Sequence, residues 1–101
     1  MAEQDRRKLD DKEVKDELEK LPGWQLNNNQ ITKTYQFKNY NAGVSFTNLC
    51  AKLAEEHDHH PDILLTYGKV QVNFSTHSAG GITPLDLQMA ERVEKVYEEF
   101  K

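Results

Sequence analysis

A chain of 101 residues with 30% charged side chains, a net charge of −4 and one cysteine is sized for a single domain with a modest core. The acidic balance offers no electrostatic footprint for nucleic acid, and no apolar run approaches the ~20 residues of a membrane span. A lone Cys50 excludes an internal disulfide and a cysteine-ligated zinc.

The opening MAEQDRRKLDDKE lacks the apolar segment of a secretory signal, which predicts a soluble, cytoplasmic protein. Residues 1–8 are polar and aperiodic and read as a disordered tail, leaving 9–101 as the domain. Asp10 suits a helix N-cap, Glu13 completes a capping box, and Leu9 and Val14 flank them as a hydrophobic staple. Val14, Leu18 and Leu21 then form a narrow apolar stripe that Pro22-Gly23 stops. Trp24 and Leu26 alternate with polar residues as a short strand does, and Asn27-Asn28-Asn29 supplies a turn, since Asn tolerates positive φ. Ile31, Lys33, Tyr35 and Phe37 share one face of the next strand, opposite Thr32, Thr34 and Gln36. Lys33 on that apolar face predicts either a sheet edge or a stem that snorkels out to water.

Asn41 suits the N-cap of a second helix, in which Phe46, Leu49, Cys50 and Leu53 recur at helical spacing. Cys50 reads there as a buried structural thiol. Pro61 forces the helix to end around His57–His59. Two further strands, Ile63–Thr66 and Val70–Thr76, turn at Tyr67-Gly68-Lys69, with Tyr67 packed at the hairpin in preference to contacting a ligand. Val70, Val72, Phe74 and Thr76 face one way, and Gln71, Asn73, Ser75 and His77 the other. Ser78–Gly81 reads as a flexible link. Thr83-Pro84-Leu85-Asp86 opens a last helix with N-cap, Pro at N1 and Asp at N3, burying Leu87, Ala90, Val93, Tyr97 and Phe100. The order α-β-β-α-β-β-α predicts a two-layer α+β domain, a four-stranded antiparallel sheet with three helices on one face.

All four histidines lie between Glu55 and Asp86. Glu55 and His59 are one helical turn apart, so the carboxylate would orient the imidazole; an ordinary exposed pair is the alternative. His59 and His60 at a forced helix end project apart, with Pro61 holding them. His77 approaches that corner if its strand runs beneath the second helix. Asp86 is explained by helix capping alone or by capping together with a role in the site. His57 and Asp58 read as solvated surface. Clustered imidazoles serve zinc or proton transfer; the absence of a His-Glu-x-x-His spacing favours metal-free proton transfer.

The pattern Glu55-x3-His59-His60-Pro61-x5-Tyr67-x9-His77-x8-Asp86 resembles that of the pterin-4a-carbinolamine dehydratase family. Trp24, Phe46, Val70–Thr76 and Gly81-Ile82-Thr83 extend the resemblance over roughly residues 9–98. It implies dehydration of 4a-hydroxytetrahydropterin to quinonoid dihydropterin, in support of tetrahydropterin recycling for aromatic amino-acid hydroxylation, with no metal and no organic cofactor. It implies the same fold, a homodimer or homotetramer, and in some members a homeodomain transcription-factor partner. On this resemblance His59 and His77 are the acid/base pair and Glu55 and Asp86 tune the imidazoles. His60, Asp86, Ser75 and Thr76 line the substrate side. Ile63 departs from the several members with an aromatic residue there, which bears on the pocket wall. The rival to the enzyme is an interaction module using the fold to bind a transcription factor.

Overall fold

The structure, a computed structural model, describes residues 7–100; most of the expected tail, residues 1–6, lies outside them. Helix α1, Asp11–Leu18, starts on the predicted capping box. Asp10 Oδ1 accepts from Glu13 N–H at 2.8 Å and Glu13 Oε1 from Asp10 N–H at 3.0 Å. Leu9 and Val14 are buried as the staple requires. The helix stops at Leu18, a turn before Pro22, yet Leu21 is still buried.

Strands β1, Gln25–Asn27, and β2, Gln30–Gln36, are joined through Asn28 and Asn29 at φ 51 and 64. Two consecutive positive φ values match the right-handed twist of a tight hairpin, which is why asparagines sit there. Helix α2, Tyr40–His57, is capped by Asn39 rather than Asn41: Asn39 Oδ1 accepts from Ala42 N–H at 2.8 Å. Its buried side is Gly43, Phe46, Cys50 and Ala54, and Leu49 is exposed. A Cβ on Gly43 would come within 3.0 Å of Leu65 Cδ1, so glycine lets α2 approach the sheet there. Burial pushes the Cys50 thiol up to about 12, the state of an inert structural cysteine.

Strands β3, Asp62–Thr66, and β4, Lys69–Phe74, follow, then α3, Pro84–Glu98. The sheet is antiparallel in the order β1-β2-β4-β3. Ile31, Tyr35, Val70, Val72 and Phe74 point into the core beneath the three helices, and the rings of Tyr35, Phe37, Phe46, Tyr97 and Phe100 pack at centroid distances of 4.6 to 5.8 Å. The predicted architecture stands.

Details depart from it where tertiary contacts intervene. Tyr67 is 77% exposed, not packed at its hairpin. Leu85 and Met89 are buried in α3, whereas Leu87, Tyr97 and Phe100 are half-buried. Most instructive is Lys33, which pairs with Val72 of β4 just beyond the last β1 pair, Gln25 with Thr32, and whose side chain snorkels, the second of the two expected outcomes. Its stem runs through the apolar face and its amine meets Glu94 Oε2 at 2.7 Å and the Pro22 carbonyl at 2.9 Å. The same Glu94 oxygen accepts from Trp24 Nε1 at 3.1 Å and from the Tyr35 hydroxyl. Burial alone would raise the Glu94 carboxyl, but donors from Lys33, Tyr35 and Trp24 hold it below its usual range. Burial, and then the bond to Glu94, raise Tyr35 well above the ordinary phenol value.

Candidate active site

The end of α2 sorts the adjacent histidines. Asp58 takes left-handed backbone (φ 49, ψ 45), which Asp tolerates better than most L residues, and its N–H bonds back to the Ala54 and Glu55 carbonyls. His59 N–H also reaches the Ala54 carbonyl, at 3.1 Å. This reversal, not Pro61 alone, turns His59 inward and His60 outward. Asp58, expected to be mere solvated surface, is thus the hinge of the corner.

His59 is 6% exposed. Its ring lies parallel to Phe74, 6.0 Å between centroids and 9° between planes, and its Nε2 is 2.5 Å from Asp86 Oδ1. His60 is exposed and pairs through Nε2 with Glu55 Oε2. The expected Glu55–His59 pair is therefore not formed. Once Asp58 leaves helical geometry, the residue after it no longer shares a face with Glu55, and His60 swings into that place.

The end of β4 also differs from expectation. The strand stops at Phe74, Thr76 makes an isolated bridge to Gly81, and His77 opens a 3-10 turn, His77–Ala79. Ser78–Gly81 is no flexible link: Thr76 N–H donates to the Gly81 carbonyl at 2.9 Å and Gly80, at φ 78, closes onto His77. Asn29 of the first hairpin braces this turn, donating to the Gly80 carbonyl at 3.1 Å and accepting from the Ser75 hydroxyl at its own carbonyl, also 3.1 Å. The turn delivers exposed His77 to the corner held by α2.

Asp58, His59, His60, Ser75, Thr76, His77 and Ser78 surround an open cleft of about 260 Å³. A larger groove of about 540 Å³ between α1 and α3 is lined by residues such as Glu13, Glu17, Leu87 and Glu91 and holds no histidine. We take the smaller cleft as the candidate site because three of the four histidines line it. Three predicted site residues, His59, His60 and His77, line it, with Ser75 and Thr76 beside them. Asp86 is not among the lining residues: the carboxylate is fully buried and meets the cleft through His59 and Thr76. The Thr76 hydroxyl likewise turns inward, donating to Asp86 Oδ2 at 2.8 Å. Both groups are engaged in bonds within the protein, and Thr76 still borders the cleft. Ile63 faces the core opposite Val72 and is absent from the cleft lining. Among the described residues no three His, Cys, Asp or Glu side chains converge as metal ligands would.

Two residues of the site escaped sequence reasoning. Phe74 read as core and is also the plate beneath His59. Thr83 read as a cap and also joins the buried polar cluster, its hydroxyl 2.9 Å from that of Thr76. The only local signal was the Thr83-Pro84-Leu85-Asp86 cap itself.

The family model described as Pterin 4 alpha carbinolamine dehydratase matches residues 7–96. The chain belongs to the pterin-4a-carbinolamine dehydratase family. It is accordingly a hydro-lyase. A Sulfurisphaera tokodaii protein carrying the family's name is 41% identical over 90 residues, spanning 89% of this chain and 97% of that protein. An Aquifex aeolicus protein of the same name is 41% identical over 94 residues, 93% of this chain and 95% of its own. The crystal structure of a transcriptional coactivator/pterin dehydratase from Brucella melitensis superposes with a TM-score of 0.83 at 34% identity, covering 90% of this chain and 98% of that one. No helix among the described residues of this dehydratase is long and apolar enough to cross a membrane.

Proposed function

We propose that the chain converts a 4a-hydroxytetrahydropterin to the quinonoid dihydropterin and water by histidine general acid/base catalysis, serving tetrahydropterin recycling. The C4a–O bond breaks and its electron pair leaves with oxygen, which takes a proton. The N5–H proton is removed and its electron pair forms the N5=C4a bond. One proton enters and one leaves, so two imidazoles of complementary protonation suffice.

One observation carries this reading: a buried carboxylate grips one nitrogen of His59, and the same ring lines a cleft with His60 and His77. Such a grip sets ring orientation and favours the imidazolium formed in transit. His59 and His77 are assigned the proton traffic. His60, steadied by Glu55 at the cleft mouth, binds and orients the pterin with Ser75. In a dehydratase assay, His59→Ala or His77→Ala should lower kcat by ~10²–10⁴-fold, down to the spontaneous rate as a floor. A folded double variant that dehydrates both substrate enantiomers at the wild-type rate would overturn the assignment.

We also propose that the protein is a homodimer or homotetramer. Among the described residues no strand lies beside the outer edge of β3, and Leu64 and the neighbouring Tyr67 are exposed. A monomeric mass by light scattering at micromolar concentration, with full activity, would refute this.

A further inference from the structure

The two oxygens of the buried Asp86 carboxylate are used unequally. Oδ1 accepts one bond, from His59 Nε2 at 2.5 Å. Oδ2 accepts from the Thr76 hydroxyl at 2.8 Å and from Thr83 N–H at 2.9 Å, and the Thr83 hydroxyl lies 3.4 Å away. The two hydroxyls are 2.9 Å apart. Each carries one proton. That of Thr76 goes to the carboxylate, so Thr83 is the donor at the contact between them. A directed chain results, Thr83 to Thr76 to Oδ2, in which each donor polarises the next inside the buried core. The capping box of α3 pairs the Thr83 side chain with the Asp86 N–H and the Asp86 side chain with the Thr83 N–H. The hydroxyl chain is additional to that, and it joins the start of α3 to the segment leaving β4.

We propose that Thr83 is a positioning residue of the dehydratase: through Thr76 and Asp86 it locks His59 as the Nε2–H tautomer with Nδ1 presented to the substrate. This rests on the proton-transfer role given to His59 above. An ionised carboxylate only accepts, so the ring must donate from Nε2. Nδ1 has no hydrogen-bond partner, and among the described residues no buried side-chain nitrogen or oxygen lacks one, so Nδ1 opens to the cleft. With Oδ2 pinned, the carboxylate cannot rotate, and neither can the ring stacked on Phe74. Nδ1 of His59 is then the atom that exchanges a proton with the pterin.

The test uses the whole protein labelled with 15N, reading the ring-nitrogen shifts of neutral His59 beside steady-state kinetics. Wild type should show the proton on Nε2. Thr83→Val keeps the branched shape and the backbone N–H but removes the hydroxyl. It should mix the two tautomers and lower kcat about 10-fold, short of the ~10² that a 1 Å misplacement can cost, with KM little changed. Thr83→Ser should restore tautomer and kcat together. A wild-type proton on Nδ1 overturns the proposal, as does Thr83→Val with kcat and tautomer unchanged. Should Thr83→Val fail to fold, the wild-type tautomer and the Thr83→Ser rate decide: the proposal requires Nε2–H and near-normal kcat. If instead His59→Ala retains the wild-type rate, the catalytic reading falls while the tautomer result stands as a separate measurement.

Discussion

Replacing Glu94 by alanine should be among the most damaging single changes outside the cleft. The side chain holds three donors on one oxygen: Trp24 Nε1, Lys33 Nζ and the Tyr35 hydroxyl. Tyr35 is 1% exposed, so its hydroxyl would be left unpaired in the core at about 1–3 kcal/mol, and the Trp24 N–H adds about 1 kcal/mol. Lys33 keeps the Pro22 carbonyl and reaches water, so the lost ion pair contributes only about 0.5 kcal/mol. The sum is about 3 kcal/mol, which lowers Tm by roughly 10–20 °C in a domain of this size. Urea and thermal unfolding at pH 7, followed by circular dichroism, measure it. The pH dependence gives an independent check. The folded Glu94 carboxyl lies below its usual 4.5, so its stabilisation is complete above that value and is lost as pH falls through the folded value. The stability difference between wild type and Glu94→Ala should therefore be flat above about pH 5 and shrink in acid. Activity per folded molecule should be unchanged. A loss under about 1 kcal/mol, or a gap that widens in acid, would show that the donors find other partners.

Other expectations follow from the same contacts. His60→Ala should raise KM with little effect on kcat, because the exposed His60–Glu55 pair stands at the cleft mouth; steady-state kinetics resolve the two. Asp58→Val forces a β-branched residue into left-handed backbone, costing about 1–2 kcal/mol by denaturant unfolding and lowering kcat as His59 shifts. Cys50, with its thiol pushed up to about 12, should resist alkylation at pH 8 in the native state and react at once in denaturant, as mass spectrometry would show.

The sequence alone determined what depends on neighbours along the chain. The capping box at Asp10, the Asn28-Asn29 turn, the stripes of α2 and α3 and the alternation of β4 are written in local periods and backbone preferences, and the element order follows. The cluster of histidines was legible for the same reason, because its members fall at the ends of those elements. Which group holds which histidine was decided by tertiary structure. One left-handed residue at Asp58 moved His59 from Glu55 to Asp86, and no spacing rule encodes a single φ. Thr83 and Thr76 are joined only because the bridge to Gly81 folds the chain back from β4 to α3. Lys33 reads along the strand as an edge residue or a snorkelling stem, and the partner its amine finds, Glu94 on α3, is remote in sequence. Contacts between residues remote in the chain depend on sheet order and on the packing of helices over it. Those are properties of the whole core that no local segment carries.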